Sequence, residues 1–226
     1  MANITEYTII MKEGSDTYTL RPMILSDKTF FKECMADFPY EDSSVVNSDF
    51  TFQKYINQWV QDHEDLEYPI SKGTEAIVSQ IGYKNDTPFF MAHSIYDYCT
   101  EENLFERDLV IAIHPDQRNK GLYKYYVDIC QYYSYKLVGV DYITYETYDS
   151  VEKIKKYQKD KGWIYLRTDP AGAQGIKHIF KNTKEQYSQN SKYTFEVSKA
   201  SYSKTDARYA TDHIKATYIK WDDGLS

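Results

Sequence analysis

Cysteine is scarce, and Cys34, Cys99 and Cys130 stand far apart with no Cys-x-x-Cys pair and no Cys/His cluster. Three unpaired positions at such spacing suggest neither a disulfide framework nor a zinc site, and no pattern calls for a metal. No apolar run approaches the ~20 residues that cross a bilayer. The opening Met-Ala-Asn-Ile-Thr-Glu-Tyr carries no basic region followed by an apolar stretch. Neither a membrane span nor a signal peptide is therefore expected, and the cytoplasm is the expected compartment. The 9 glycines never fall at the Gly-x-x-x-x-Gly-Lys-Ser/Thr spacing of a P-loop or the Gly-x-Gly-x-x-Gly spacing of a dinucleotide turn. Positive charge is in deficit, with 27 Lys and Arg against 34 Asp and Glu, a net charge of -7. Such a field repels a phosphate backbone, so nucleic acid is not an expected partner, whereas an amine is attracted.

What is present is the composition of a soluble globular protein, 42% hydrophobic and 27% charged over 226 residues. The 24 tyrosines are unusual. Each pairs an apolar ring with a polar tip and serves cores, interfaces and clefts alike, so the count names no function. The length suits one domain with an elaborated end.

Two β-rich runs open the chain, an extra strand at 7–11 and a second at 17–23, separated by the turn residues Glu13-Gly14-Ser15-Asp16. Ser26-Asp27 predicts a helix cap, with Phe30, Phe31, Cys34 and Met35 on one face. A further helix is expected over 49–63 from Phe52, Tyr55, Ile56, Trp59 and Val60. Strands at 76–83, 88–98 and 107–113 then form an antiparallel meander. A polar loop and a helix over about 120–136 follow, with Leu122, Tyr126, Ile129, Cys130, Tyr133 and Leu137 as its apolar stripe and Gly139 after it. A strand at 142–148 makes this a βαβ unit with a parallel pair. Asp149-Ser150 begins another helix over 151–159, and 163–167 and 176–181 are candidate strands. Beyond about 182 the pattern changes, with strand-like runs at 193–197 and 214–221. The expected division is a domain over 1–182 and an extension over 183–226 packed on it.

One segment carries chemistry. Between Ile113 and the helix lies His114-Pro115-Asp116-Gln117-Arg118-Asn119-Lys120-Gly121-Leu122-Tyr123. The first-turn N–H groups of a helix have no intrahelical partner and sit at the positive end of its dipole, so a strand–loop–helix of this kind can seat a phosphate. Gly121 lets the backbone approach it, and Arg118 and Lys120 add positive charge.

The segment Val110–Tyr123 resembles the acetyl-CoA-binding motif of the GNAT superfamily of N-acetyltransferases. The family pattern Gln/Arg-x-x-Gly-x-Gly/Ala falls on Arg118, Gly121 and Tyr123, and the order of elements over about 17–181 agrees. The resemblance implies an α/β (α+β) fold with a mixed central sheet, an antiparallel N-terminal meander, a parallel βαβ splay and helices on both faces. It implies that Ile111, Ala112 and Ile113 lie along the pantetheine arm of acetyl-CoA, and that Arg118, Asn119, Lys120, Gly121, Leu122 and Tyr123 wrap its pyrophosphate. Tyr123 stands where a small residue is usual, so its ring must turn away from the phosphates. Asp149 or Ser150 stands where the family places a cofactor-contacting asparagine, and Ser150 is the residue assigned here.

The reaction so implied is direct attack of a primary amine, on a small molecule or a protein, on the thioester. Tyr157, displaced by one residue from the family's Tyr-x-x-x-Gly-Phe pattern, is the candidate acid for the departing thiolate. Glu146 is the candidate base, beside His93 and His114. A catalytically weak acyl-CoA-binding or interaction protein is the alternative. Edge pairing of the late strands would make a homodimer.

Overall fold

The computed structural model of the chain describes residues 2–5, 7–35, 67–70, 76–98, 103–148, 151–170, 176–188 and 192–200. The helix expected over 49–63, the strand expected over 214–221, and Cys99, Asp149 and Ser150 lie outside them. Alternating burial marks the first long strands, β2 (Tyr7–Glu13) and β3 (Asp16–Pro22), where Ile9, Met11, Tyr18 and Leu20 face inward. The meander follows as β5 (Ala76–Lys84), β6 (Thr87–Tyr98) and β7 (Leu104–Ile113). Asn85 and Asp86, at φ 46° and 66°, supply the left-handed pair that a two-residue hairpin needs between β5 and β6. In β6 every residue from Phe89 to Tyr96 is buried, so both faces of this central strand are covered.

Two of the remaining strands, β8 (Tyr142–Tyr148) and β10 (Ile176–Thr183), are inner ones, whereas β9 (Ile164–Pro170) and β11 (Thr194–Lys199) lie at the edges. The nine-stranded sheet has the order β11-β2-β3-β5-β6-β7-β8-β10-β9. Every neighbouring pair is antiparallel except β7 and β8. The fold is thus the mixed sheet that the sequence predicts. A separate ribbon, β1 (Ala2–Thr5) against β4 (Glu67–Ile70), was not foreseen. The late run at 193–197 is β11, which pairs with β2 and closes the N-terminal edge of the sheet.

The helix after the loop is α2 (Tyr123–Tyr132), which continues as a π-turn through Val138 rather than as the α-helix expected to 136. The wider turn lets the Ser134 carbonyl accept both the Gly139 and Val140 N–H groups, and Gly139 ends it at φ 87°. Tyr126, Ile129, Cys130 and Tyr133 face the sheet, and Phe90 meets Tyr126 edge-on at 4.7 Å. A Cβ on Gly82 would lie 1.8 Å from the Phe90 ring, so glycine is required opposite it. Among the described residues, two further α-helices are α1 (Lys28–Met35) and α3 (Glu152–Asp160). No helix among the described residues is long and apolar enough to cross a membrane.

Asp27 stands before α1 as expected of a cap, but its carboxylate reaches backward. It accepts both Arg21 guanidinium nitrogens at 2.7 Å and the Ile24 N–H at 2.8 Å. Arg21 also bonds the Tyr83 hydroxyl and the Pro22 carbonyl. This clamp fixes the chain between β3 and α1. Asp27→Ala removes a bidentate ion pair from a largely buried guanidinium, and urea unfolding is expected to show a loss of about 3 kcal/mol.

The residues after β10 pack on the outer side of α2. Tyr132 stacks on Phe195 at 3.8 Å, and the Tyr193 hydroxyl donates to Asp128 at 2.8 Å. Burial raises the Asp128 carboxyl above its ordinary value of 3.8, against the lowering effect of Tyr193. A raised folded value means stability that is full at low pH and is lost as pH rises through that value. Asp128→Asn does not titrate. The gain in its melting temperature over the unaltered chain is therefore expected to grow between about pH 4 and pH 7. A gain that is flat across that range contradicts the buried-carboxylate assignment.

Candidate functional site

The site begins where two strands part. β7 and β8 pair in parallel through Phe105–Tyr142, Glu106–Ile143 and Arg107–Thr144 only. Beyond Arg107, β7 runs on to Ile113 along β6 instead. Immediately after the last parallel pair, β7 carries an extra residue: His93 lies opposite Val110 and Ser94 opposite Asp108, so Leu109 is bulged. A bulge of this kind re-aims backbone groups and recurs beside active sites.

At its far end β7 passes into the loop singled out by the sequence. His114 caps a short 3-10 turn, Pro115–Gln117, through its Nδ1, and its ring stacks on Phe30 at 5.2 Å. The Gln117 and Arg118 N–H groups are taken by His114 and Pro115 carbonyls. Arg118 folds back so that its Nε donates to the Ile113 carbonyl at 2.9 Å, bracing the loop on the strand. Asn119 then adopts φ 60° and Gly121 φ 71°, with Leu122 right-handed at φ -76°. Alternation of left- and right-handed residues turns successive N–H groups toward one concavity, the arrangement that holds anions. Among the described residues, no acceptor takes the N–H groups of Asn119, Lys120, Gly121 or Leu122. A Cβ built on Gly121 meets no described residue within 4 Å, so none of them fills the space before the loop. Leu122 makes no side-chain cap to α2, leaving the helix N-terminus facing that space.

Tyr123 turns inward, as its place in the motif demands. Its ring lies against Tyr126, Tyr145 and Tyr157, and its hydroxyl accepts from Gln158 Nε2 at 2.9 Å. It thereby lines a small cleft bounded by α2, α3 and the paired portion of β7 and β8. Tyr126, Val127 and Cys130 line the α2 side, Tyr145 and Trp163 the opposite side. The floor is Glu106 and Ile143, one of the parallel pairs. Glu106 is only 3% exposed, and its carboxylate accepts the Ser134 hydroxyl. Ser134 Oγ lies 3.1 Å from the Tyr96 hydroxyl. The Glu106 charge and burial together raise the Tyr96 phenol well above its ordinary range, burial being the larger cause.

The residues assigned from the motif divide between these parts. Ile111 and Ile113 are half-buried on β7, and Ala112 between them is buried. Asn119, Lys120 and Gly121 are exposed at the loop, and Leu122 is buried under it. Glu146 is not brought to the cleft. It neighbours the cleft-lining Tyr145 on β8, its side chain on the other face, and accepts Lys177 Nζ at 2.9 Å. His93 is 1% exposed, with Nδ1 2.5 Å from Ser79 Oγ. Tyr157 lies close: its ring meets Tyr123 edge-on at 5.2 Å, and its buried hydroxyl has no partner among the described residues. Burial, and secondarily Asp128, raises that phenol far above its ordinary value.

Glu106, Gln158 and Trp163 escaped the sequence reading as cleft residues. For Glu106 a signal existed. Tyr126, Cys130 and Ser134 fall four apart on one helix face, so a serine sits in an apolar stripe and needs a buried polar partner. The strand expected at 107–113 begins at Leu104 instead, and this brings Glu106 into the sheet.

No protein-family model matches the chain, and no curated protein matches its sequence. Solved structures do resemble it. RimJ of Mycobacterium smegmatis, in complex with CoA-disulfide, superposes with a TM-score of 0.64 at 9% identity, covering 85% of this chain and 94% of that one. Spermidine N-acetyltransferase of Vibrio cholerae, in complex with CoA and spermine, gives 0.56 at 12% identity, covering 75% and 96%. An uncharacterized protein of Bacillus halodurans gives 0.56 at 14%, covering 75% and 86%. The mixed sheet, with one parallel pair among the described residues, is therefore the fold of these solved structures, the GNAT fold that the sequence resemblance implied.

Proposed function

We propose that the chain is an N-acetyltransferase that takes its acetyl group from acetyl-CoA. The observation that carries this reading is the run of N–H groups at Asn119–Leu122 that no described residue accepts, at the N-terminus of α2. A diphosphate held there would lie at the far end of β7, beyond the point where β7 and β8 part. An extended thioester arm held there lies along β7, past Ile113 and Ile111, toward the bulge at Leu109. Ser150 is retained as a further cofactor contact.

The chemistry is a direct displacement. The lone pair of a neutral amine forms the new C–N bond, and the C–S bond breaks to leave the CoA thiolate. The oxyanion of the tetrahedral stage needs an N–H donor, and the bulged stretch of β7 is where a backbone N–H can be spared from the sheet. The amine proton must go to a base or to water. Glu146, tied to Lys177, is the weaker candidate by position, and Glu106 at the cleft floor the stronger. The Tyr157 hydroxyl, protonated at every working pH, is a hydrogen-bond donor for the departing sulfur. The net negative charge suits a cationic acceptor before it loses its proton. The acceptor is a primary amine of a small molecule or a protein, and neither nucleic acid nor membrane is assigned as a partner. A homodimer through the exposed edge strand β9 belongs to the same proposal, as does a cytoplasmic location.

The second reading is an acyl-CoA binder with little turnover. Its support is specific: Glu146 is neutralised by Lys177, and the Tyr157 phenol is held too weakly acidic to release a full proton to a thiolate.

Acetyl-CoA is expected to raise the melting temperature of the chain, with about 2.7 kcal/mol of added stability at a hundredfold excess over its Kd. Gly121→Trp is expected to abolish that rise, since the ring would fill the space before the loop. An unchanged affinity would remove the loop from the proposal. Release of CoA over a panel of amines separates the two readings. In the enzyme, Tyr157→Phe is expected to lower turnover roughly a hundredfold with acetyl-CoA affinity intact. Binding without release from any amine establishes the second reading.

A further inference from the structure

The loop that presents its N–H groups at Asn119–Leu122 is held from behind by one side chain. His114 stands at the end of β7, and its own N–H donates to the Phe89 carbonyl of β6 at 2.9 Å. Its ring touches three different neighbours. Nδ1 accepts the Asp116 N–H at 3.3 Å. A ring nitrogen that accepts carries no proton, so the proton of the neutral imidazole sits on Nε2. Nε2 lies 3.3 Å from Glu33 Oε2 and donates to it. The ring plane stacks on Phe30 at 5.2 Å and 11°. Phe30 and Glu33 stand three apart on α1, so one helix face presents both partners. The His114 side chain is 16% exposed, whereas that of Glu33 is 54% exposed.

These contacts decide which N–H groups remain for a ligand. Pro115 has none to give. The Asp116 N–H is taken by the His114 ring, that of Gln117 by the His114 carbonyl and that of Arg118 by the Pro115 carbonyl. The turn is thereby satisfied from within up to Arg118, and the run that no described residue accepts starts at Asn119. We propose that His114 is the positioning residue of this loop, and that through Phe30 and Glu33 it makes α1 part of the diphosphate seat. It acts through the turn rather than on the ligand. A shift of α1 draws the ring with it, releases the Asp116 N–H and re-aims the donors that follow. Hydrogen bonds weaken steeply as their angle closes, so a small rotation of the donors is felt as lost affinity. The proposal rests on the acyl-CoA reading above. It adds to the determinants of affinity a helix whose Glu33 lies 81 residues before the loop's histidine.

The test is isothermal titration of the full chain with CoA. His114→Ala is expected to bind at least about tenfold more weakly, the loss of one well-aligned hydrogen bond to a charged ligand. His114→Asn keeps an acceptor where Nδ1 stands and is expected to recover part of that loss. His114→Phe keeps the stack without the acceptor and is expected to recover less. Glu33→Ala is expected to weaken CoA about threefold in the unaltered chain and to change nothing further in His114→Ala. A side chain that served folding alone would lower the melting temperature of His114→Ala and leave its affinity intact; that result overturns the positioning and leaves the loop standing. An equal loss on Glu33→Ala with and without His114 overturns the tie to α1. Should His114→Ala fail to fold, Glu33→Ala decides, since its side chain is more than half exposed, and unchanged affinity there overturns the proposal. No affinity of the unaltered chain for CoA overturns the acyl-CoA reading, and the positioning with it.

Discussion

The brevity of one strand contact organises this molecule. β7 and β8 share three residue pairs and then separate, because β7 bulges at Leu109 and follows β6 while β8 follows β10 along its length. A sheet that parts in its middle would expose backbone on both sides of the gap. Here the gap is roofed by α2 and flanked by α3, and the aromatic rings of Tyr123, Tyr126, Tyr145 and Trp163 fill most of it. The loop at Asn119–Leu122 follows from the same event, since β7 must turn at its far end to enter the helix that covers the gap. Loop, bulge and cleft are three consequences of one divergence.

Much of this was legible from residue pattern. The strand expected at 88–98 is present, and it is β6 that is covered on both faces; the βαβ order over 107–148 announced the parallel pair. Gly139 was expected to close the helix after the loop, and it does so at φ 87°. Tyr123 was expected to turn its ring away from the loop, and the ring lies against Tyr126, Tyr145 and Tyr157.

What stayed hidden depended on contacts between distant segments. Glu106 looks like a loop carboxylate until the strand is seen to begin at Leu104, and its serine partner lies 28 residues later on another element. Asp27 has the local signature of a cap, yet the opposing guanidinium of Arg21 outweighs a helix N–H as its partner, because a bidentate ion pair is the stronger contact. The π-turn at the end of α2 has no local signature. It arises where Ser134 must reach Glu106 while the chain still ends at Gly139. Glu146 was a reasonable base by position on its strand, but alternation places it on the face opposite Tyr145, where Lys177 meets it.

The closure of the sheet by β11 bears on how the chain is made. β2 pairs with a strand that begins at Thr194, so Ile9 waits for Val197 and Met11 for Phe195. Synthesis runs from the N-terminus at about 5–20 residues per second, so this edge of the sheet stays bare for roughly ten seconds or more after β2 has emerged. During that interval the β2–β3 hairpin presents an open ladder to any neighbouring chain. Contacts of such long sequence separation also slow folding. The tail after β10 is thus the last piece of the sheet to arrive, and a chain shortened before Thr194 would be released with its first edge uncovered.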